Sequence, residues 1–184
     1  MSLNYHFLLP LSILLFITQA TLITSASKLP IWKGSVYAEF DVPPEKAWPF
    51  LEDFCNVYKI YPVTISFCDK GDPTHVKPGD RRLTGVFING TDQVQFEQHR
   101  LIKIDRAKRY ITYKMGVNSL NVSYYHVMVS VMPSKKIKNG SLMKWHYKVR
   151  AVKGYDPLIF NHVLQGLVNP VPGNIHKWLP KHSN

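Results

Sequence analysis

The chain has 184 residues, 45% of them hydrophobic and 19% charged, with 23 Lys and Arg against 12 Asp and Glu for a formal charge of +11. This composition excludes a disordered or collagen-like polymer and fits one compact domain. In a protein kept in the cytosol such a charge would point to nucleic acid; the N-terminus redirects that reading.

Residues 1–27 contain no Asp, Glu, Lys or Arg, and Phe7 to Ile17 forms a short apolar core. That is the pattern of a secretory signal, and the run is short for a membrane span, although the usual basic residue ahead of it is missing. Ala20 and Ala26, each with a Thr two residues earlier, both fit a cleavage site. The expected division is a signal peptide over 1–26 and a single domain over 27–184. Asn-X-Ser/Thr triplets begin at Asn89, Asn121 and Asn139. Together with the signal they point to a glycoprotein delivered outside the cell or to the vacuole.

All charged residues lie in the mature part, and its expected secretion removes nucleic acid as an expected partner. Acidic wall polymers, an anionic membrane surface or plain solubility fit Arg81-Arg82, Arg106 to Arg109 and Lys135-Lys136-Ile137-Lys138. Membrane contact is expected only through such a basic surface, and the chain is expected to be a monomer. Cys55 and Cys68 are too few for a disulfide scaffold and are compatible with one bridge or two buried thiols. No metal-ligand spacing, phosphate loop, nucleophile elbow or Cys-His pair is present, so no metal or cofactor is expected.

In chain order, Lys33 to Phe40 alternates as a strand. Pro43 and Pro44 open a short helix to Leu51, and Asp53 is placed to cap a second short helix through Tyr58, ended by Pro62. Strand patterns follow over Thr64 to Asp69, Arg81 to Ile88, Val94 to Asp105, Arg109 to Met115, Ser123 to Met132 and Leu142 to Val152, with hairpin-type Gly, Asn or Asp in most gaps. Asp156-Pro157 then caps a helix with a broad apolar face through Val168. The segment Asn169-Pro170-Val171-Pro172-Gly173 is expected to stop it, leaving Asn174 to Leu179 for one further turn with Trp178 packed back. This order predicts an α+β fold in which a curved antiparallel seven-stranded sheet wraps a C-terminal helix.

Alternation assigns the inner face of that sheet. Ile111, Tyr113 and Met115 face in, followed by Tyr125, Val127, Val129 and Val131, then Met143, Trp145, Tyr147 and Val149. Buried phenol and indole groups need polar partners and cost free energy without them. Tyr113, Tyr125, Trp145 and Tyr147 therefore predict a cavity with polar handles for a small, mainly apolar molecule, with Phe96 added to its wall.

The blocks Trp32-Lys33-Gly34-Ser35-Val36, Pro44-Glu45-Lys46-Ala47-Trp48, Leu51-Glu52-Asp53-Phe54-Cys55-Asn56, Tyr61-Pro62, Pro78-Gly79-Asp80-Arg81-Arg82 and Arg100-Leu101-Ile102-Lys103-Ile104-Asp105 resemble the plant START-like (SRPBCC) superfamily of polyketide cyclase, dehydrase and lipid-transport proteins. Within it the chain is most similar to lachrymatory-factor-synthase-like proteins. The resemblance implies the helix-grip fold, a cavity between sheet and long helix, and cofactor-free chemistry in which a proton moves within a small molecule. It places Arg82, Tyr113, Tyr125 and Trp145 on family positions.

The family's glutamate is replaced: the chain reads Gln98-His99-Arg100-Leu101 there. His99, titrating nearer neutrality, can serve as acid or base for a different isomerisation, cyclisation or dehydration; alternatively the chemistry is lost and a carrier or sensor remains. Glu97, on the face of His99, can compensate. Val94, Phe96, Ile102 and Ile104 have the opposite parity, so a bulge is required if they and His99 all face inward. The expected catalytic pair is His99 and Arg82, and a buried Arg82 requires a ligand anion or Glu97 beside it.

Overall fold

The computed structural model describes residues 29–63, 65–68, 76–87, 93–152 and 154–179. The expected signal peptide and the Asn89 triplet lie outside these residues. Strand β1 is Ile31–Phe40, followed by helix α1 (Pro44–Glu52) and a 3₁₀ turn at Val57–Lys59. Strands β2 (Ile65–Cys68), β3 (Arg81–Phe87), β4 (Val94–Asp105), β5 (Tyr110–Asn118), β6 (Tyr125–Pro133) and β7 (Ser141–Arg150) come next, then helices α2 (Pro157–Val168) and α3 (Val171–Trp178).

The sheet runs β1-β7-β6-β5-β4-β3-β2 with every neighbour antiparallel, so β2 to β7 pair in sequence and β1 joins β7. This is the predicted seven-stranded α+β architecture. The alternation expected in β5 to β7 holds: Ile111, Tyr113, Tyr125, Val127, Val129, Val131, Met143, Trp145, Tyr147 and Val149 are all buried. They pack with the inner residues Val36, Ala38 and Phe40 of β1, with α1 and with Leu164 and Val168 of α2.

A bulge exists, but it does not bring the whole apolar set to the face of His99. Between Leu101↔Tyr113 and Lys103↔Thr112 strand β4 advances two residues while β5 advances one. The extra residue resets the side-chain parity. His99 and Leu101 point inward before it and the half-buried Ile104 after it, whereas Ile102 is exposed. A second irregularity, between Glu97↔Asn118 and His99↔Met115, places the spare residue in β5.

Three local expectations change. Asp53 accepts the Asn56 amide at 3.3 Å, but no second α-helix follows: the chain makes a 3₁₀ turn whose N-cap is Asn56, without a side-chain cap. Asp156 does cap α2, accepting the Ile159 N–H at 2.8 Å. Asn169 and Pro170 keep helical backbone angles, and Pro172 and Gly173 fall inside α3, so the interruption is shorter than the five residues expected to stop the helix. A proline in a first turn gives up an N–H that has no intrahelical acceptor there. Val171 and Ile175 are fully buried, while Trp178 is 52% exposed with the Lys59 ammonium 5.9 Å from its ring. Cys55 and Cys68 form a disulfide that ties the turn after α1 to β2.

Candidate functional site

The site begins with the pairing of β3 and β4, whose register sets Arg82 opposite His99 and Thr84 opposite Glu97. Facing positions on neighbouring strands bring side chains within reach of each other. Arg82 and His99 are each only 4% exposed. The Arg82 Nε–H donates to His99 Nδ1 at 3.4 Å, and Nη1 donates to the Phe54 carbonyl at 3.1 Å. Its guanidinium lies between two rings, 4.4 Å from the Phe54 centroid and 4.8 Å from that of Tyr113. The other ring nitrogen of His99, Nε2, is 3.2 Å from Glu97 Oε2.

This chain fixes the protonation state of the histidine. An arginine has no lone pair to offer, so Nδ1 must accept and therefore carries no proton. The imidazole proton sits on Nε2 and is donated to the Glu97 carboxylate. Burial, followed by the nearby Arg82 charge, lowers the His99 pKa below its ordinary 6.5, against the opposing pull of Glu97. Arg82 thus has the counter-charge its burial requires, reached through a neutral imidazole.

These groups occupy one wall of a cavity of about 350 Å³ between the inner face of the sheet and α2. Its volume is near the lower end of small-molecule pockets. The rest of the wall is mainly apolar, including Met115, Leu120, Val122, Phe160 and Leu164. Tyr61, Tyr113, Tyr125 and Trp145 supply rings with polar tips. Trp145 Nε1 donates to the Tyr125 hydroxyl at 3.3 Å, and the rings of Tyr61 and Trp145 stand nearly perpendicular with centroids 5.3 Å apart. Among the described residues the Tyr61 hydroxyl meets the Met143 thioether, at 4.0 Å, a weak acceptor that a guest oxygen can replace. Burial pushes the Tyr113 phenol up to about 12 despite the pull of Arg82, so it remains a neutral donor. Burial likewise raises Tyr125 and Tyr61.

Of the sequence-predicted residues, the structure brings Arg82, His99, Tyr113, Tyr125 and Trp145 together around the cavity. Tyr147 and Phe96 are not among them. Tyr147 is inward and buried but lies outside the cavity wall: it pairs with Gly34, whose missing side chain leaves room for its ring, and its hydroxyl donates to Asn161 Oδ1 of α2 at 3.2 Å. Its polar tip is therefore satisfied by the helix. Phe96 precedes Glu97 and so projects from the opposite face of β4, outside the cavity wall. Glu97, treated in the sequence only as compensation for the missing glutamate, is a wall residue with its side chain 33% exposed. Tyr61 and the α2 residues Phe160, Val163, Leu164 and Leu167 were not legible as wall; the apolar stripe of α2 was the available signal.

The architecture is shared with solved structures. One, described as the crystal structure of Ara h 8.0201, matches over 80% of this chain and 99% of its own with a TM-score of 0.60 and 15% sequence identity, which shows the common fold. The family described as polyketide cyclase / dehydrase and lipid transport matches residues 32–177. With a sheet wrapped on a C-terminal helix and a mostly apolar cavity between them, the chain belongs to this START-like family of hydrophobic-ligand-binding proteins.

Proposed function

We propose that this protein takes a small, mainly apolar metabolite bearing an oxygen function and moves a proton on it, as an isomerase or cyclase without a cofactor. The observation that carries the reading is the Arg82–His99–Glu97 chain in the wall of an otherwise apolar cavity. Fixed donors aimed at an oxygen stabilise the negative charge that develops as a neighbouring proton leaves. Arg82 and the phenols hold that oxygen. Glu97 takes the proton and, its one-third-exposed carboxyl exchanging with solvent, delivers a proton to another atom of the same molecule, so no electrons are gained or lost. His99 donates Nε2–H to the carboxylate and positions it. In this reading Glu97 supplies the carboxylate that the resemblance to lachrymatory-factor-synthase-like proteins lacks at His99, and Trp145 shapes the apolar wall.

A carrier or sensor is the second reading, favoured by the engagement of both His99 ring nitrogens. Secretion belongs to the same proposal. It is supported by the N-terminal apolar core, by the Cys55–Cys68 bridge, a bond that persists in oxidising compartments, and by the exposed Asn121 and Asn139 in left-handed turns. The protein acts as a monomer in this account.

The test is mass spectrometry of small molecules that co-purify with the protein from a secretory host, followed by incubation of the recovered ligand in D₂O. Wild-type protein introduces deuterium, and Glu97→Gln binds the same ligand without introducing it. Equal exchange in both proteins removes Glu97 from the chemistry. Binding without exchange in either leaves the carrier.

A further inference from the structure

Across the outer face of the sheet, perpendicular to its strands, runs a single file of basic side chains. The register pairs Lys33 with Lys148, Lys148 with His126, His126 with Lys114, Lys114 with Arg100, and Arg100 with Arg81. Each of the six strands β1, β7, β6, β5, β4 and β3 contributes one member. With strands about 4.8 Å apart, the five steps span about 24 Å. Lys33, Lys148, Arg100 and Arg81 are exposed, and Lys114 and His126 half-buried. None of the six forms an ion pair among the described residues. The next outward positions along these strands include Ser35, His146, Met128, Thr112 and Gln98, without an acid. Asp80, the neighbour of Arg81 in sequence, accepts the Lys77 amide at 2.8 Å.

Like charges set directly opposite each other across a ladder destabilise it. A file that accepts this cost on six adjacent strands is matched to a partner of opposite charge. Burial and the charges of Lys114 and Lys148 hold His126 below its ordinary value, and its ring stacks on Tyr124 with centroids 4.6 Å apart. The middle of the file is therefore an aromatic pair flanked by cations.

We propose that this file is a docking track for a linear acidic polysaccharide, carboxylated or sulfated at regular intervals. A flexible chain follows a convex face, whereas a flat bilayer meets it only along its crest. The stacked Tyr124–His126 pair offers a sugar ring a flat surface. The choice of polysaccharide over nucleic acid rests on the secretory part of the proposed function and is independent of the cavity.

The experiment measures binding of polygalacturonate, and of its methyl-esterified form, to the secreted protein at about 50 mM salt. A Lys33→Gln/Lys114→Gln/Lys148→Gln variant is compared with Lys135→Gln/Lys136→Gln/Lys138→Gln, which removes the same charge from the β6–β7 hairpin. Binding of anilinonaphthalene sulfonate to the cavity serves as the control for folding. The track predicts roughly a tenfold or larger loss of affinity in the first variant and less than twofold in the second. It also predicts that the slope of log affinity against log salt falls by about two to three, one counterion per lost cation. Equal losses in the two variants, equal binding of the esterified polymer, or no binding by the wild type overturns the proposal. So does tighter binding of phosphatidylserine vesicles or a single-stranded oligonucleotide through the same file.

Discussion

Replacing Arg82 by Met keeps most of the side-chain bulk and removes the buried charge with its donors. Two buried acceptors lose their partner, the Phe54 carbonyl at 3.1 Å and His99 Nδ1 at 3.4 Å. Each costs about 1–3 kcal/mol when left unsatisfied. The two ring contacts at 4.4 and 4.8 Å are lost as well, at about 0.5–1 kcal/mol each or more where desolvated. Against this, a thioether has no charge to desolvate, which returns several kcal/mol. The balance is a loss of about 2 kcal/mol, roughly 4–8 °C in Tm for a domain of this size. Because the large terms oppose one another, stability is the blunt readout and the titration of His99 is the sharp one. With Arg82 gone, Nδ1 is free to take a proton, the repelling charge disappears and Glu97 still favours the imidazolium. The His99 pKa therefore rises. Long-range ¹H–¹⁵N spectra of the imidazole across a pH series measure it, and in the wild type the same spectra report the Nε2–H tautomer. A His99 pKa that is unchanged or lower in Arg82→Met, or an Nδ1–H tautomer in the wild type, refutes the reasoning.

Gly34→Ala places a methyl group into the Tyr147 hydroxyl and ring and displaces it from Asn161. Overpacking predicts a loss of about 1–3 kcal/mol in a urea melt, and an unchanged midpoint contradicts the packing. Cys55→Ala/Cys68→Ala opens a loop with a sequence separation of 13, which costs about 3 kcal/mol by loop entropy; the wild type treated with reductant should match the variant. Since the His99 pKa is lowered from 6.5 on folding, the unfolded chain binds a proton that the native chain refuses. The resulting stability is present above the unfolded value and is lost as the pH falls toward the native one. Urea melts from about pH 7.5 to 5 should therefore show a shallower pH dependence in His99→Gln than in the wild type, and parallel curves contradict the buried neutral state.

The sheet was legible where a strand keeps a strict period of two. Strands β6 and β7 do so throughout and β5 does so as far as Met115, and every residue assigned inward from Tyr125 to Val131 and from Met143 to Val149 is buried. Strand β4 was ambiguous because its parity changes at a bulge: His99 and Ile104 cannot both be inward in an unbroken strand, and only the pairing with β5 shows where the extra residue lies. The split among the inner aromatics depended on tertiary neighbours. Trp145 and Tyr147 share one face of β7, yet only Tyr147 stands opposite a glycine and beneath Asn161, so one ring borders the cavity and the other fills the contact with α2. Glu97 was visible on the right face, but its role depended on His99 being buried between it and Arg82. The basic file was hidden for the same reason. Its members are scattered from Lys33 to Lys148 and align only through five strand registers.

The most direct test of a cavity with its polar end at Arg82 is an NMR titration with anilinonaphthalene sulfonate, an apolar probe carrying one anionic oxygen group. The account predicts that the indole N–H of Trp145 and the imidazole of His99 shift together along one saturable isotherm, while the exposed Trp178 stays in place. Saturation at Trp178 with Trp145 and His99 unmoved would contradict it.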